Sequence, residues 1–312
     1  MDTADLPDHP FASAMARDLG LDAQMLFRLV QAGVLRHPVR DVYVPAAIPD
    51  SIELRCRALG LVLPQDAFIC DRTAAWLHAG DRALAPNEHL DVPALSCFRP
   101  SDCGRLRNKL VASGEREIKA RDLMTIGDLT VTTPLRTALD LGRLQPTADL
   151  KLHGMDTMLA LEVFSHDQLL REIPRFNRQR GVVELRVLAP LADGGSESFG
   201  ETALRRRWHG AGLPRPQTQI SVTVNGREIY RLDMGLGGML FAAEYNGERW
   251  HDEERSEHDE ERRQWLERER DWTIEVFVKG NVFGSQQDAE GTLRTAYDAR
   301  RARYGLPRIF FT

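Results

Sequence analysis

The apolar positions of this chain change period along its length, and the changes mark its elements. Near the N-terminus Leu26, Leu29 and Val30 recur at three-to-four spacing, which predicts a helix with one buried stripe. Asp22 stands where a side-chain cap belongs and Gly33 where a helix ends. Residues 11–20 read as a shorter helix closed by Gly20, and two short strands follow at 34–36 and 42–44. Gln24, Arg28 and Gln31 fall on the polar face of the second helix, while Arg36, His37 and Arg40 lie between the strands. Two helices and a two-stranded wing make the pattern of a winged helix-turn-helix. Gln and Arg also have the bidentate geometry that reads adenine and guanine edges in a major groove. Gln24, Arg28, Gln31, Arg36 and Arg40 are therefore the expected contacts to double-stranded DNA. A small helical module that only packs against the rest of the protein has the same pattern.

Residues 51–63 predict a helix capped by Asp50 or Ser51, and 71–78 a second capped by Asp71. Thr133 and Pro134 open a third, with threonine as cap and proline at the first position. His78, His89 and His153 are expected to satisfy local hydrogen bonds rather than hold metal. The polar, glycine-rich segment 192–198 reads as a linker.

Beyond it the pattern carries chemistry. Ser198 and Glu201 open a helix, 218–224 alternates as a strand, and Asn225-Gly226 is a strong hairpin signal. The return strand carries Asp233; after a glycine-containing turn, the apolar run 239–245 carries Glu244. Paired strands bring these carboxylates near each other, and hard cations such as Mg²⁺ or Mn²⁺ prefer such oxygen ligands. A metal so held activates water and steadies the leaving oxygen of a phosphodiester. An aspartate near a strand end is also a common turn residue, and a salt bridge from Arg262 or Arg231 satisfies Glu244 equally well. Glu201 either approaches the metal or closes a capping box with Ser198. His251 titrates near neutrality and reads as a general acid or as an exposed loop histidine.

The order Asp233, glycine turn, Glu244-Tyr-Asn246-Gly247, His251, then Asp259-x-x-Arg262-x-x-x-Leu266 resembles the family called domain of unknown function 559. That family is similar to the very-short-patch-repair endonucleases of the PD-(D/E)XK nuclease fold. The likeness covers residues 196–284 and includes Trp272-Thr-Ile-Glu-Val-Phe-Val. It implies an α/β/α nuclease-type domain in which Glu201, Asp233, Glu244 and His251 are catalytic. Asp233 and Glu244 are then the metal ligands, with Asn246, Asp259 and Arg262 in support. Asn246 stands where the family usually has aspartate, and no lysine lies two residues after Glu244.

The N-terminal stretch resembles the N-terminal domain of AbiEi-type antitoxins. The matching segments are Ala16-Arg-Asp-Leu-Gly20, Leu26-Phe-Arg-Leu-Val30, Gly33-Val-Leu35 and Val42-Tyr-Val44, with Asp41 in place of the usual glycine. Arg72-Thr-Ala-Ala-Trp-Leu and Thr133-Pro-Leu-Arg-Thr-Ala-Leu-Asp look like the middle region of antitoxin-like actinobacterial proteins. These resemblances imply double-stranded DNA as a partner and, in an antitoxin setting, a cognate toxin or phage-defence partner.

At 312 residues the chain is expected to hold two or three domains. An apolar share of 42% with 28% charged residues is that of a soluble globular protein. The sequence has no apolar run long enough for a membrane span, and the acidic N-terminus lacks a signal pattern, so a cytoplasmic location is expected. Four scattered cysteines without a C-x-x-C pair point to reduced, buried thiols rather than zinc. The net charge is −5, yet basic residues crowd 99–121, 201–231 and 294–308 while acids crowd 248–271. Local basic faces supply phosphate contacts even when the total is negative, although such runs are also ordinary solvated surface.

The expected architecture is a multidomain α/β protein. It has a winged helix over 1–50, a mixed α+β middle domain over 51–191, a nuclease-like domain over 196–290 and a basic tail over 291–312. Two functions fit: a DNA-binding, metal-dependent endonuclease, or a non-catalytic antitoxin or repressor with a degenerate nuclease-like domain.

Overall fold

The computed structural model of the chain describes residues 6–63, 67–85, 88, 94–104, 111–247 and 253–306, with backbone alone at 52, 111 and 253–260. It is an α/β protein with twelve α-helices and three sheets among the described residues. The chain divides into two compact units, 1–145 with 157–185 and 146–156 with 186–312. Among the described residues no helix is long and apolar enough to cross a membrane.

The first unit begins with β1 (Phe11–Ala12), α1 (Ser13–Asp18), α2 (Ala23–Gln31), β2 (Leu35–Val39) and β3 (Val42–Pro45), the strands ordered β1-β3-β2. The Asp22 carboxylate accepts from the Met25 N–H at 2.7 Å, so the expected cap of α2 is present. Gly20 and Gly33 close the two helices at φ +72° and +69°, backbone that L side chains resist. Asp41 takes the same region at φ +63° in the turn between β2 and β3, where its carboxylate accepts from the Ser13 hydroxyl at 3.1 Å.

Next come α3 (Ile52–Gly60), β4 (Phe68–Ile69), α4 (Asp71–Ala79), β5 (Leu95–Pro100), β6 (Val111–Ala112), β7 (Glu115–Arg116), β8 (Leu123–Ile126), β9 (Leu129–Thr132) and α5 (Pro134–Leu144). Strands β6-β5-β4-β9-β8 form one sheet, with β7 beside β5. Phe11, Ala16, Leu21, Leu26 and Leu35 make a small core under α1 and α2. Val39, Val42 and Val44 from β2 and β3 enter a larger one with Leu54, Ile69, Trp76, Leu77 and Val131. The N-terminal segment and the region after it thus share apolar packing.

Charge is buried behind α5. Arg116 reaches Asp71 at 2.5 Å and Asp140 at 3.1 Å, and Arg136 lies 2.8 Å from both Asp140 and Asp122. Arg143 binds Asp140 from the other side at 2.8 Å, and Arg175 joins Asp122 to Glu172. Burial works to raise the Asp122 and Asp140 carboxyls, but the surrounding guanidinium groups win and hold both below the ordinary aspartate range. Asp71 is drawn into this network. It adopts φ +50° and bonds Arg116, and Cys70, not Asp71, occupies the cap position of α4. A charge-assisted double bond to a buried arginine outweighs one helix-end N–H.

The chain continues through α6 (Ala148–Leu159), α7 (His166–Glu172) and α8 (Val182–Leu188). The second unit then holds α9 (Phe199–Gly210), β10 (Gln217–Val224), β11 (Arg227–Leu236), β12 (Phe241–Tyr245), α10 (Glu253–Arg270), β13 (Thr273–Phe277), α11 (Lys279–Val282) and α12 (Ala289–Arg303). The sheet order is β10-β11-β12-β13, antiparallel except for the parallel β12–β13 pair that α10 connects. Asn225 and Gly226 sit at φ +51° and +79°, the backbone a tight hairpin demands. Ala203, Leu204 and Trp208 of α9 and Leu293 and Tyr297 of α12 cover Met234, Phe241, Ala243 and Phe277 on one face. Leu266 of α10 packs with Val222, Leu232, Ala242 and Ile274 on the other, so helices layer both sides of the sheet.

Two segments differ from expectation. The stretch 192–198 is packed rather than a free linker: Ala192 and Ser196 are buried, and the Asp193 N–H donates to Asp156 at 2.8 Å. Fully buried Asp156 explains it, since Arg205, Thr202 and the Asp193 N–H all converge on its carboxylate. Burial raises that carboxyl, and these donors pull it back. The basic segment from 291 onward is no separate tail as far as Arg303, because it forms α12, and buried Arg300 donates to the Met239 carbonyl at 2.8 Å.

Arg136→Met leaves Asp122 and Asp140 short of a cation in a dry site. The expected loss is about 3–5 kcal/mol of first-unit stability, read from urea denaturation followed by circular dichroism. A loss below ~1 kcal/mol would show the network to be dispensable.

Candidate functional site

The hairpin register decides which acids meet. Met234 pairs with Ala243 at the end of the β11–β12 ladder, and Asp233 and Glu244 are the residues just beyond that pair on the two strands. The Tyr245 N–H donates to Asp233 Oδ2 at 2.8 Å, and the Tyr230 hydroxyl donates to Glu244 Oε2 at 3.0 Å. Glu201 arrives from the first turn of α9. Ser198 Oγ accepts from the Glu201 N–H at 3.1 Å, so the serine does cap the helix. The carboxylate, however, accepts from the Glu197 N–H at 2.8 Å and from Gln219 Nε2 at 3.2 Å.

Gly200 allows this arrangement. A Cβ there would stand 2.0 Å from the Tyr245 ring, so only glycine lets the start of α9 rest on the end of β12. That contact keeps Glu201 beside Asp233.

Asp233 is half-buried, and its carboxyl is pushed up to about 7. Burial is the largest cause; the negative charges of Glu201, Glu244 and Glu197 add to it, and the Tyr245 N–H opposes them. Among the described residues no arginine or lysine pairs with it. Asp122, Asp140 and Asp156 are all met by arginine, whereas Asp233 is met by acids. No three His, Cys, Asp or Glu side chains among the described residues meet as a ready-made metal set. The two observations agree physically. Charge repulsion acts beyond coordination distance, and here each carboxylate is turned to its own hydrogen-bond donor.

The remaining expected residues are distributed as follows. Asn246 is exposed, and its N–H extends the parallel ladder to the Phe277 carbonyl at 2.8 Å. Arg262 is exposed on α10; the Asp259 side chain and all of His251 lie outside the described residues. Arg231 lies 3.5 Å from Glu197 and 4.0 Å from Glu228. Gln24, Arg28 and Gln31 are all exposed on α2, and Arg40 is exposed at the turn after β2. Arg36 departs from the expected wing contact: it is half-buried, and its Nη2 donates to the Ile48 carbonyl at 2.5 Å. His78 meets the Thr132 carbonyl at 2.8 Å, as a local hydrogen bond; His89 lies outside the described residues.

Tyr230, Glu197, Gln219 and Phe27 were not singled out by the sequence. Phe27 is 65% exposed between Gln24 and Arg28, which marks α2 as an unusual surface. Tyr230 shares its strand face with Leu232, and that alternation was the available signal.

No protein-family model matches the chain. Two curated proteins of Mycobacterium tuberculosis, from strains CDC 1551 / Oshkosh and ATCC 25618 / H37Rv, are similar to it. Each is 28% identical over 197 residues, covering 63% of this chain and 69% of the relative, and each is described as an uncharacterized protein. The likeness brings kinship without a function.

An aspartate held at about 7 keeps its proton in the folded protein while the unfolded chain ionises near 4. Its contribution to stability is therefore present below pH 4 and is lost as pH rises through 7. Asp233→Asn is expected to match the wild type at pH 4 and to exceed it by about 1–3 kcal/mol at pH 8, in urea titrations at both values. Equal stabilities at both pH values would contradict the raised carboxyl.

Proposed function

We propose that the chain is a DNA-acting protein whose second unit is a PD-(D/E)XK-like, Mg²⁺- or Mn²⁺-dependent endonuclease, and whose α1–α2 pair with β2 and β3 docks on duplex DNA as a winged helix. The observation that carries the reading is the acidic surrounding of half-buried Asp233. A divalent cation is the partner that relieves several negative charges at once, and carboxylate oxygens suit Mg²⁺ or Mn²⁺ better than softer metals. Asp233 and Glu244 would hold it, with Glu201 beside them. Bound there, the ion supplies charge neutralisation at the phosphate and a water of lowered pKa.

The protein supplies orientation. The Tyr245 N–H fixes the Asp233 carboxylate, Tyr230 fixes Glu244, and the Glu197 N–H with Gln219 fixes Glu201. The sheet with helices on both faces agrees with the α/β/α domain that the sequence resemblance implies. Gln24, Arg28, Gln31 and Arg40 are the exposed groups for duplex DNA. A cytoplasmic location and a cognate toxin or defence partner belong to the same proposal.

The second reading is a non-catalytic DNA-binding antitoxin or repressor. It is favoured by Asn246 in place of an acid and by carboxylates already satisfied one by one. Plasmid DNA incubated with Mg²⁺ or Mn²⁺ separates the two. Nicking by the wild type that disappears in Asp233→Ala supports the nuclease. Duplex binding without nicking supports the regulator. In either case Arg28→Ala is expected to weaken duplex binding and to lower the salt slope by about one; an unchanged slope would remove α2 from the DNA interface.

A further inference from the structure

Between the start of β11 and α10 runs an open groove of about 450 Å³, within the range of ligand-sized sites. Tyr230 and Trp265 line it with two aromatic rings, Arg227 and Arg262 with two cations, and Glu228 and Glu261 with two acids. Buried Leu266, the next residue along the helix, anchors α10 on the sheet and so holds Trp265 at the groove, 36% exposed. The Arg270 guanidinium stands 5.3 Å from the Trp265 ring centre, a cation–π contact that steadies the ring.

The groove adjoins the acids through one side chain. Tyr230 lines it with its ring and donates its hydroxyl to Glu244 at 3.0 Å. Whatever stacks on Tyr230 therefore lies next to the Glu244 carboxylate of the proposed nuclease site.

The charge of the groove decides what that is. Among the described residues two arginines stand against two glutamates, so the groove offers no cationic face to attract a duplex backbone. Aromatic rings offer affinity to bases whose faces are free, and in an intact duplex those faces are already stacked on their neighbours. The glutamates repel phosphate but accept from exocyclic amino groups of bases. The arginines remain for the flanking phosphates.

We infer that this groove seats an unpaired base of single-stranded DNA beside Glu244, an inference that rests on the nuclease reading for its meaning but not for its measurement. Binding is tested with the full chain in EDTA, where no cleavage occurs, using a fluorescein-labelled single-stranded DNA oligonucleotide, its duplex, and the RNA of the same sequence. Trp265→Ala is expected to raise the Kd for single-stranded DNA about tenfold, Trp265→Phe to restore most of it, and the duplex Kd to stay within about twofold. Because stacking dominates, the single-strand Kd is expected to depend on salt less steeply than the duplex Kd.

An unchanged single-strand Kd in Trp265→Ala would overturn the inference, and so would an equal loss for the duplex. Tighter, equally Trp265-dependent binding of the RNA would overturn DNA as the occupant. Trp265-dependent binding in a protein that never nicks plasmid would uphold the groove and sink the nuclease; metal-dependent nicking without that dependence would do the reverse.

Discussion

A carboxylate withdrawn from water needs a partner, and this chain meets that need in two opposite ways. Around α5 the answer is internal: Asp122 and Asp140 are ringed by Arg136, Arg143, Arg116 and Arg175, and Phe176 adds an aromatic face 4.4 Å from the Arg143 guanidinium. In the second unit Arg205 does the same for Asp156 and thereby pulls 192–198 into the fold. These networks are structural because their charges balance within themselves. Asp233 is the exception. The charged neighbours that act on it share its sign, and its carboxyl is pushed up to about 7 instead of being paired.

Several features of the fold keep that exception in place. Gly200 admits the Tyr245 ring, Tyr245 supplies the N–H that holds Asp233, and the Met234–Ala243 pair ends the ladder just before Glu244. Gln219, at φ +51° in β10, donates to Glu201 from a backbone region that glycine usually occupies. Strained backbone at such a place marks a side chain whose position matters more than its comfort.

Local signals in the sequence were legible where the physics is local. Asp22, Gly20, Gly33, Thr133 and Asn225-Gly226 each do what their chemistry dictates within a few residues. Asp233 and Glu244 could be placed on adjoining strands for the same reason, since a hairpin is a short-range object. What could not be read is long-range. Asp71 looked like a cap because Arg116 is far away in the chain, and 192–198 looked free because Asp156 lies behind it in sequence. Arg36 looked like a wing contact because nothing nearby announces the Ile48 carbonyl. The basic run after 291 concealed the buried stripe Leu293, Tyr297, Arg300, which becomes visible only when one of the arginines is allowed inside.

The missing lysine two residues after Glu244 bears on which reading the acids favour. A lysine at that position would be an internal cation beside Glu244 and would offset part of the negative charge there. With Asn246 there the repulsion on Asp233 stands, and folding has to carry it near neutral pH. A domain kept only as a scaffold gains nothing from that cost, since one asparagine or one arginine would remove it. A domain that binds a divalent ion recovers the cost on binding, because the negative field that destabilises the empty site is the field that draws the ion. Asn246 thus weakens the likeness to an active nuclease and leaves the repulsion on Asp233 in place.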